Sequence, residues 1–179
     1  MKIGLLFGSF NPVHIGHLAI ANYMAEFTDV DQVWLVVSPH NPFKSKKSLT
    51  DAKKRFALVK KAVGENTKIK VSDMEFKLSQ PSYTINTLEL LKRKFPKHKF
   101  VLVMGSDNLS SFHKWKDHQK IVGDYKIYVY PRYSLSVKGV GKILQHRNIK
   151  LIDAPRIDVS STFIREAIKK GKDMRYFIP

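Results

Sequence analysis

The 179-residue chain contains no cysteine. That removes disulfide frameworks, thiolate nucleophiles and cysteine metal sites together. Acidic residues are scarce: 15 Asp and Glu stand against 32 Lys and Arg, a formal net charge of +17. No run approaches the length of apolar sequence that spans a bilayer. The N-terminus has no basic segment leading into an apolar stretch and a cleavage site. The expected location is therefore cytoplasmic, with no membrane partner. Two phosphate-binding signatures are also missing. GxxxxGK[ST] does not occur, and Gly139-Val140-Gly141 lacks the third glycine and the preceding strand of a dinucleotide fingerprint.

The hydrophobic fraction of 43% is enough for a sizeable core, and the length fits one domain over 1–179. The positive balance suits nucleic acid or a polyanionic small substrate, because a positive field concentrates phosphates. The lysines are spread along the chain, so most are read as solvated faces. A helix-turn-helix, a zinc finger and an RNP-like aromatic sheet are all lacking, which weakens a nucleic-acid role.

Apolar runs alternate with helical periodicities. Strands are expected at Ile3–Phe7, Gln32–Ser38, Ile69–Met74, Phe100–Met104, Lys126–Tyr130 and Ile149–Ile152. Between them, helical stripes run through Ile20, Ala21, Met24 and Phe27, then Ala52, Phe56, Val59 and Val63 behind a Thr50 cap. A third runs through Ile85, Leu88, Leu91 and Phe95. Leu109–Asp117 reads as a short helix and loop, and Val137–His146 as a weaker helix containing two glycines. Ser161 is expected to cap a last helix to Lys170, with Phe163, Ile164, Ala167 and Ile168 as its apolar face and Gly171 as its stop. The fold class is α/β: a Rossmann-like, doubly wound parallel sheet of five to six strands with helices on both faces. Ligands bind such sheets at the carboxyl ends of the strands, near a topological switch point. Four loops fall there: 8–17, 39–44, 105–107 and 160–165.

Met1 to His17 carries the densest chemistry. A buried strand ends at Gly8 and Ser9, Asn11-Pro12 turns the chain, and His14 and His17 flank Gly16 at the start of a helix. Free backbone N–H groups and the positive end of a helix dipole favour an anion there. One histidine could be a cap or a packing residue; two around a glycine point to phosphate. Ser160-Ser161-Thr162 opens the last helix in the same way, and Arg165 adds a cationic fork.

GSFNPVHIGHL at 8–18 resembles the HxGH motif of the nucleotidyltransferase superfamily, and VSSTFIR at 159–165 resembles its SSTxxR motif. PSYTINTLELL at 81–91 and MGSDNL at 104–109 narrow the likeness to the bacterial nicotinate-nucleotide adenylyltransferases. It covers nearly the whole chain; Asn11 stands where the family often has Asp. The resemblance implies an enzyme that joins ATP and nicotinate mononucleotide into nicotinate adenine dinucleotide, releasing pyrophosphate in NAD biosynthesis. Displacement would be direct, without a covalent intermediate. It implies that Gly8, Ser9 and Phe10 border ATP, and that His14 and His17 serve the α-phosphate and the departing oxygen. Lys44, Ser161, Thr162 and Arg165 would hold the β- and γ-phosphates, while Gly105 and Asp107 face the adenosine ribose. The pyridine ring would meet Tyr83, Thr84 and Trp115. Mg²⁺ would ride mainly on ATP phosphates, with no protein metal site. The sequence leaves as alternatives a pantetheine-phosphate adenylyltransferase, an enzyme preferring nicotinamide mononucleotide, and, remotely, a nucleic-acid-binding module. A class I aminoacyl-tRNA synthetase fragment would share the literal HIGH at His14–His17 but should continue into a tRNA-binding domain. A homo-oligomer is compatible with the sequence and not required by it.

Overall fold

The computed structural model describes residues 1–43, 49–132 and 141–179, with only the backbone of Lys142. Lys44 and the 137–140 part of the helix expected between the fifth and sixth strands lie outside the described residues. Six strands are present: β1 (Lys2–Gly8), β2 (Gln32–Val37), β3 (Ile69–Ser72), β4 (Lys99–Gly105), β5 (Lys126–Tyr130) and β6 (Ile149–Leu151). All neighbouring pairs are parallel, in the order β3-β2-β1-β4-β5-β6. Helices α1 (Ile15–Phe27), α2 (Ala52–Val63), α3 (Thr84–Lys94), α4 (His118–Asp124), α5 (Gly141–Leu144) and α6 (Ser161–Lys169) complete the fold.

Successive strand residues point to opposite faces, so each strand contributes to two cores. Ile3, Leu5, Val36, Phe100, Leu102, Met104, Ile127 and Val129 pack against Ile85, Leu88 and Leu91 of α3 and Ile121 of α4. Leu6, Val33, Leu35, Val37, Val101, Val103, Tyr128 and Tyr130 face Ile20, Ala21, Met24 and Ala25 of α1 and Val59 of α2. Burial on both faces explains why the strands read as near-continuous apolar runs. The chain lays down β1 to β3 in one direction and returns to place β4 on the other side of β1. The crevice between the carboxyl ends of β1 and β4 is the switch point.

Several boundaries move from their expected places. The strand predicted to reach Met74 ends at Ser72, and Met74–Lys77 is a 3-10 turn. Asp51, not Thr50, caps α2, accepting from Lys54 N at 3.0 Å, while the Thr50 carbonyl accepts from Arg55. Ser160, not Ser161, caps α6, accepting from Phe163 N at 3.1 Å. Phe27, expected on the buried stripe, is instead 71% exposed as the last residue of α1 and stacks on Tyr23 at 4.7 Å. Phe163 and Ile168 are also exposed, leaving Ile164 as the buried anchor of α6.

Arg55 was legible only as one more cation of α2, yet it is 1% exposed. Its guanidinium donates to the carbonyls of Ser9, Ser38 (2.9 Å), Pro39 (2.9 Å) and Thr50 (2.8 Å). Five donors in a rigid fork suit this task, since each buried carbonyl needs a partner. The loops after β1 and β2 are thereby tied together. Arg55→Met keeps the stem and removes the donors. It should cost at least about 3 kcal/mol, read by urea unfolding, because the orphaned carbonyls lose charge-assisted bonds. A loss below about 1 kcal/mol would show that the fork is dispensable.

Candidate active site

The chain leaves β1 through residues 9–14, which form no regular structure and are largely buried. Phe10 takes a positive φ of 46° and folds its ring back over Gly8. A Cβ on Gly8 would stand 2.9 Å from that ring, so only glycine lets the turn close. Three of the loop's carbonyls are met by distant side chains. Arg55 donates to Ser9 O, Arg165 Nη1 to Asn11 O at 2.7 Å, and Ser161 Oγ to Pro12 O at 2.9 Å. Thr50 N donates to Asn11 Oδ1 at 3.3 Å.

This turn delivers two histidines to the start of α1. Their rings stack with centroids 3.7 Å apart, and Phe10 meets His17 edge-on at 4.8 Å. His17 Nδ1 accepts from His14 N at 3.3 Å. His17 lines an open cleft of about 520 Å³, while His14, 2% exposed, lies buried behind it. Gly16 is flush against the His14 ring: a Cβ there would come within 3.1 Å of Nδ1. The first N–H of α1, on Ile15, donates to Phe177 O at 3.0 Å, so the C-terminal segment is tied to the same helix end.

At the other lip, β4 ends in Gly105 and passes into a 3-10 stretch, Ser106–Lys114. A Cβ on Gly105 would overlap Asp107 Oδ1 and stand 2.9 Å from Arg132 Cδ. Arg132 follows β5, pairs with Asp107 at 3.6 Å and donates to Val159 O at 2.9 Å. Ser106 Oγ both accepts from Arg132 N and donates to its carbonyl. Farther along the cleft, Lys116 Nζ lies 4.9 Å from the Tyr83 ring, and Phe112 braces Trp115 at 5.5 Å. α3 begins at Thr84 without a side-chain cap from Tyr83.

Of the residues singled out in the sequence, Gly8, Ser9, Phe10, His17, Tyr83, Thr84, Gly105, Asp107, Trp115 and Ser161 all line this one cleft. His14 supports it from behind. Thr162 is exposed at its edge, and Arg165 turns away to Asn11 O and, at 3.2 Å, Thr162 Oγ1. Sequence reading missed Glu75, Lys114, Lys116 and Arg132, which also line the cleft. Arg132 had a usable signal, its place at the carboxyl edge of a strand beside β4. Glu75 had none, because it lies just past the expected strand end at Met74, in a segment without a motif. Lys114, Lys116 and Arg132 outnumber Asp107 and Glu75, so the cleft favours anions.

Burial is the main cause that lowers the His14 pKa, with the Arg132 charge second, bringing it from 6.5 to about 4. His14 is neutral at neutral pH and holds one N–H. As pH falls through 6.5 the unfolded chain takes up a proton that the folded chain refuses until about 4. Stability contributed by neutral His14 is therefore full above that window and lost within it. Histidine NMR should show one ring with no titration between about pH 5.5 and 8, abolished by His14→Asn. A His14 midpoint near 6.5 would contradict the buried geometry.

Residues 5–167 match the cytidylyltransferase-like family. A probable nicotinate-nucleotide adenylyltransferase of Flavobacterium johnsoniae is 54% identical over 179 residues, covering 100% of this chain and 92% of the relative. The corresponding Bacteroides fragilis protein is 48% identical over 177 residues, covering 99% and 87%. Among solved structures, the nicotinic acid mononucleotide adenylyltransferase of Plasmodium falciparum, in a complex with NaAD, superposes with a TM-score of 0.82. It is 21% identical, over 97% of this chain and 87% of that one, which shows a shared fold. The chain belongs to the cytidylyltransferase-like family and, within it, to the nicotinate-nucleotide adenylyltransferases.

Proposed function

We propose that this chain transfers the adenylyl group of ATP to nicotinate mononucleotide, forming nicotinate adenine dinucleotide and pyrophosphate. The observation that carries the reading is the single cleft that joins the β1–α1 histidine turn, the Gly105–Asp107 tip and the Tyr83–Thr84–Trp115 end. A dinucleotide product needs such a span, with the reacting phosphate near the switch point and a base at each end.

The acceptor is a phosphate monoester whose second pKa is about 6, so it is largely dianionic at neutral pH. An oxygen of that phosphate attacks the ATP α-phosphorus and forms a new P–O bond. The bond from the α-phosphorus to the bridging oxygen breaks, and its electron pair leaves on pyrophosphate. No proton has to move, so no general base is required. The work left to the protein is alignment and stabilisation of charge. His17 presents a donor to that charge at the cleft wall. His14 is packed against it and keeps its ring in place. Arg132 and the N-terminus of α1 add fixed positive potential. Ser161 and Thr162 stand beside the triphosphate at the start of α6, and Asp107 accepts from ribose hydroxyls. Arg165 supports the triphosphate subsite through the Asn11 carbonyl that it holds. Tyr83 and Trp115 flank the pyridine ring, and the uncapped first turn of α3 offers N–H groups to its carboxylate. Mg²⁺ is carried on ATP phosphate oxygens and water, the coordination this cation prefers. We assign it no residue of this chain, and the described residues hold no group of three metal-ligating side chains. No helix among the described residues is long and apolar enough to cross a membrane, and a cytoplasmic location with ATP at hand suits the reaction.

Pyrophosphate release from ATP should be fastest with nicotinate mononucleotide, slower with nicotinamide mononucleotide and undetectable with phosphopantetheine. His17→Ala should lower kcat on the order of 100-fold, by analogy with loss of one oxyanion donor, and leave that order unchanged. Turnover of phosphopantetheine in preference to either mononucleotide would overturn the assignment.

A further inference from the structure

One carboxyl group in the cleft has no part in the scheme above. Glu75 sits in the 3-10 turn after β3 and is 1% exposed, yet it belongs to the cleft wall together with Ser38, Ser82, Tyr83 and Thr84. Thr87, on the first turns of α3, donates its hydroxyl to Glu75 Oε1 at 2.9 Å. Oε2 is buried and has no hydrogen-bond partner, and the neighbouring Ser82 Oγ is in the same position. A buried carboxyl oxygen left without a partner is uncommon and calls for an explanation. Here the loop that carries it borders the end of the cleft assigned to the pyridine ring.

The surroundings decide which form the group takes. Burial is the largest influence and raises its pKa above the ordinary value. The hydroxyls of Ser38, Thr87 and Ser82 work in the opposite direction, though none completes a bond to Oε2. Among the cations nearby, Lys116 Nζ lies 4.9 Å from the Tyr83 ring at the same end of the cleft. Arg55 of α2 is held by the Ser38 and Pro39 carbonyls, and Lys94 of α3 reaches Met74 Sδ at 4.0 Å.

We propose that Glu75 determines the choice between a pyridine acid and a pyridine amide at this end of the cleft. As a neutral carboxyl group it donates an O–H to the substrate carboxylate. As an anion it repels that carboxylate and accepts from the N–H of a carboxamide instead. The inference rests on the adenylyl-transfer reading and deepens it: specificity for the acid is a property of one protonation state.

The test is the ratio of kcat/KM for nicotinate mononucleotide to that for nicotinamide mononucleotide, with ATP, from about pH 5.5 to 9. The two acceptors carry the same phosphate, and the pyridine carboxylate is ionised throughout. Titration of the phosphate and of the histidines therefore cancels from the ratio. In the unmodified enzyme the ratio should fall by about tenfold or more toward alkaline pH, as like charges meet in a partly desolvated site. Thr87→Val removes a donor that favours the anion, so the fall should move to higher pH. Glu75→Gln keeps a donor and cannot ionise, so its ratio should no longer vary with pH. A flat ratio in the unmodified enzyme, with both acceptors turned over, would overturn the role of Glu75 alone. So would a Glu75→Gln ratio with the unmodified slope. Turnover of neither acceptor would overturn the adenylyl-transfer reading and this inference with it.

Discussion

A buried loop with no ladder of its own must have its carbonyls met from elsewhere, and the site depends on how residues 9–14 satisfy that demand. Arg55 from α2 takes the Ser9 carbonyl, Arg165 from α6 takes that of Asn11, and Ser161 takes that of Pro12. The donors come from α2 and α6, 46 to 154 residues away. The position of His14 and His17 is thus a consequence of tertiary structure far from them. Two of the three donors belong to the SSTxxR segment, which gives that motif a structural task besides any contact with phosphate.

The sheet supplies the second half of the design. Parallel strands buried on both faces leave only their ends free for chemistry. β1 and β4 diverge there and end in glycines, whose missing Cβ atoms leave room for Phe10 on one side and for Asp107 and Arg132 on the other. A cleft built this way is polar at its lips and apolar at its base, with Leu6, Leu102 and Val103 below. Its charges are held by side chains that are themselves hydrogen-bonded or ion-paired, such as Arg132. Donors fixed in advance need little reorganisation when charge shifts from acceptor to leaving group.

The strand order and most of the cleft could be read from the chain. Five strands lie within one residue of their expected ends because two-sided burial gives unmistakable apolar runs; the third, Ile69–Ser72, ends two residues short of its expected end. Gly8, His17 and Gly105 declared themselves by motif and by position near strand ends, and Trp115 only through the family resemblance. What could not be read was work done by single polar side chains across long separations. Arg55 looks like any helix cation until its fork is seen on four carbonyls. Glu75 looks like surface sequence in KVSDMEFK until Thr87, twelve residues on, closes over it. Caps were misplaced by one residue at Asp51 and Ser160 because adjacent Thr, Asp and Ser offer the same chemistry. Lys44 lies outside the described residues, so its expected contact with ATP phosphate is a proposal resting on the family resemblance.

On the proposed reading, catalysis is a matter of alignment: one nucleophilic oxygen, one phosphorus, one leaving oxygen, and no intermediate on the protein. Such a path has a definite stereochemical outcome, because a single in-line displacement inverts the configuration at phosphorus. ATP carrying sulfur on the α-phosphorus in one configuration can be turned over with nicotinate mononucleotide and the configuration of the thio-dinucleotide determined. Inversion is the predicted result. Retention would mean two displacements and a nucleophile of the protein itself, which would contradict the role assigned to His14 and His17.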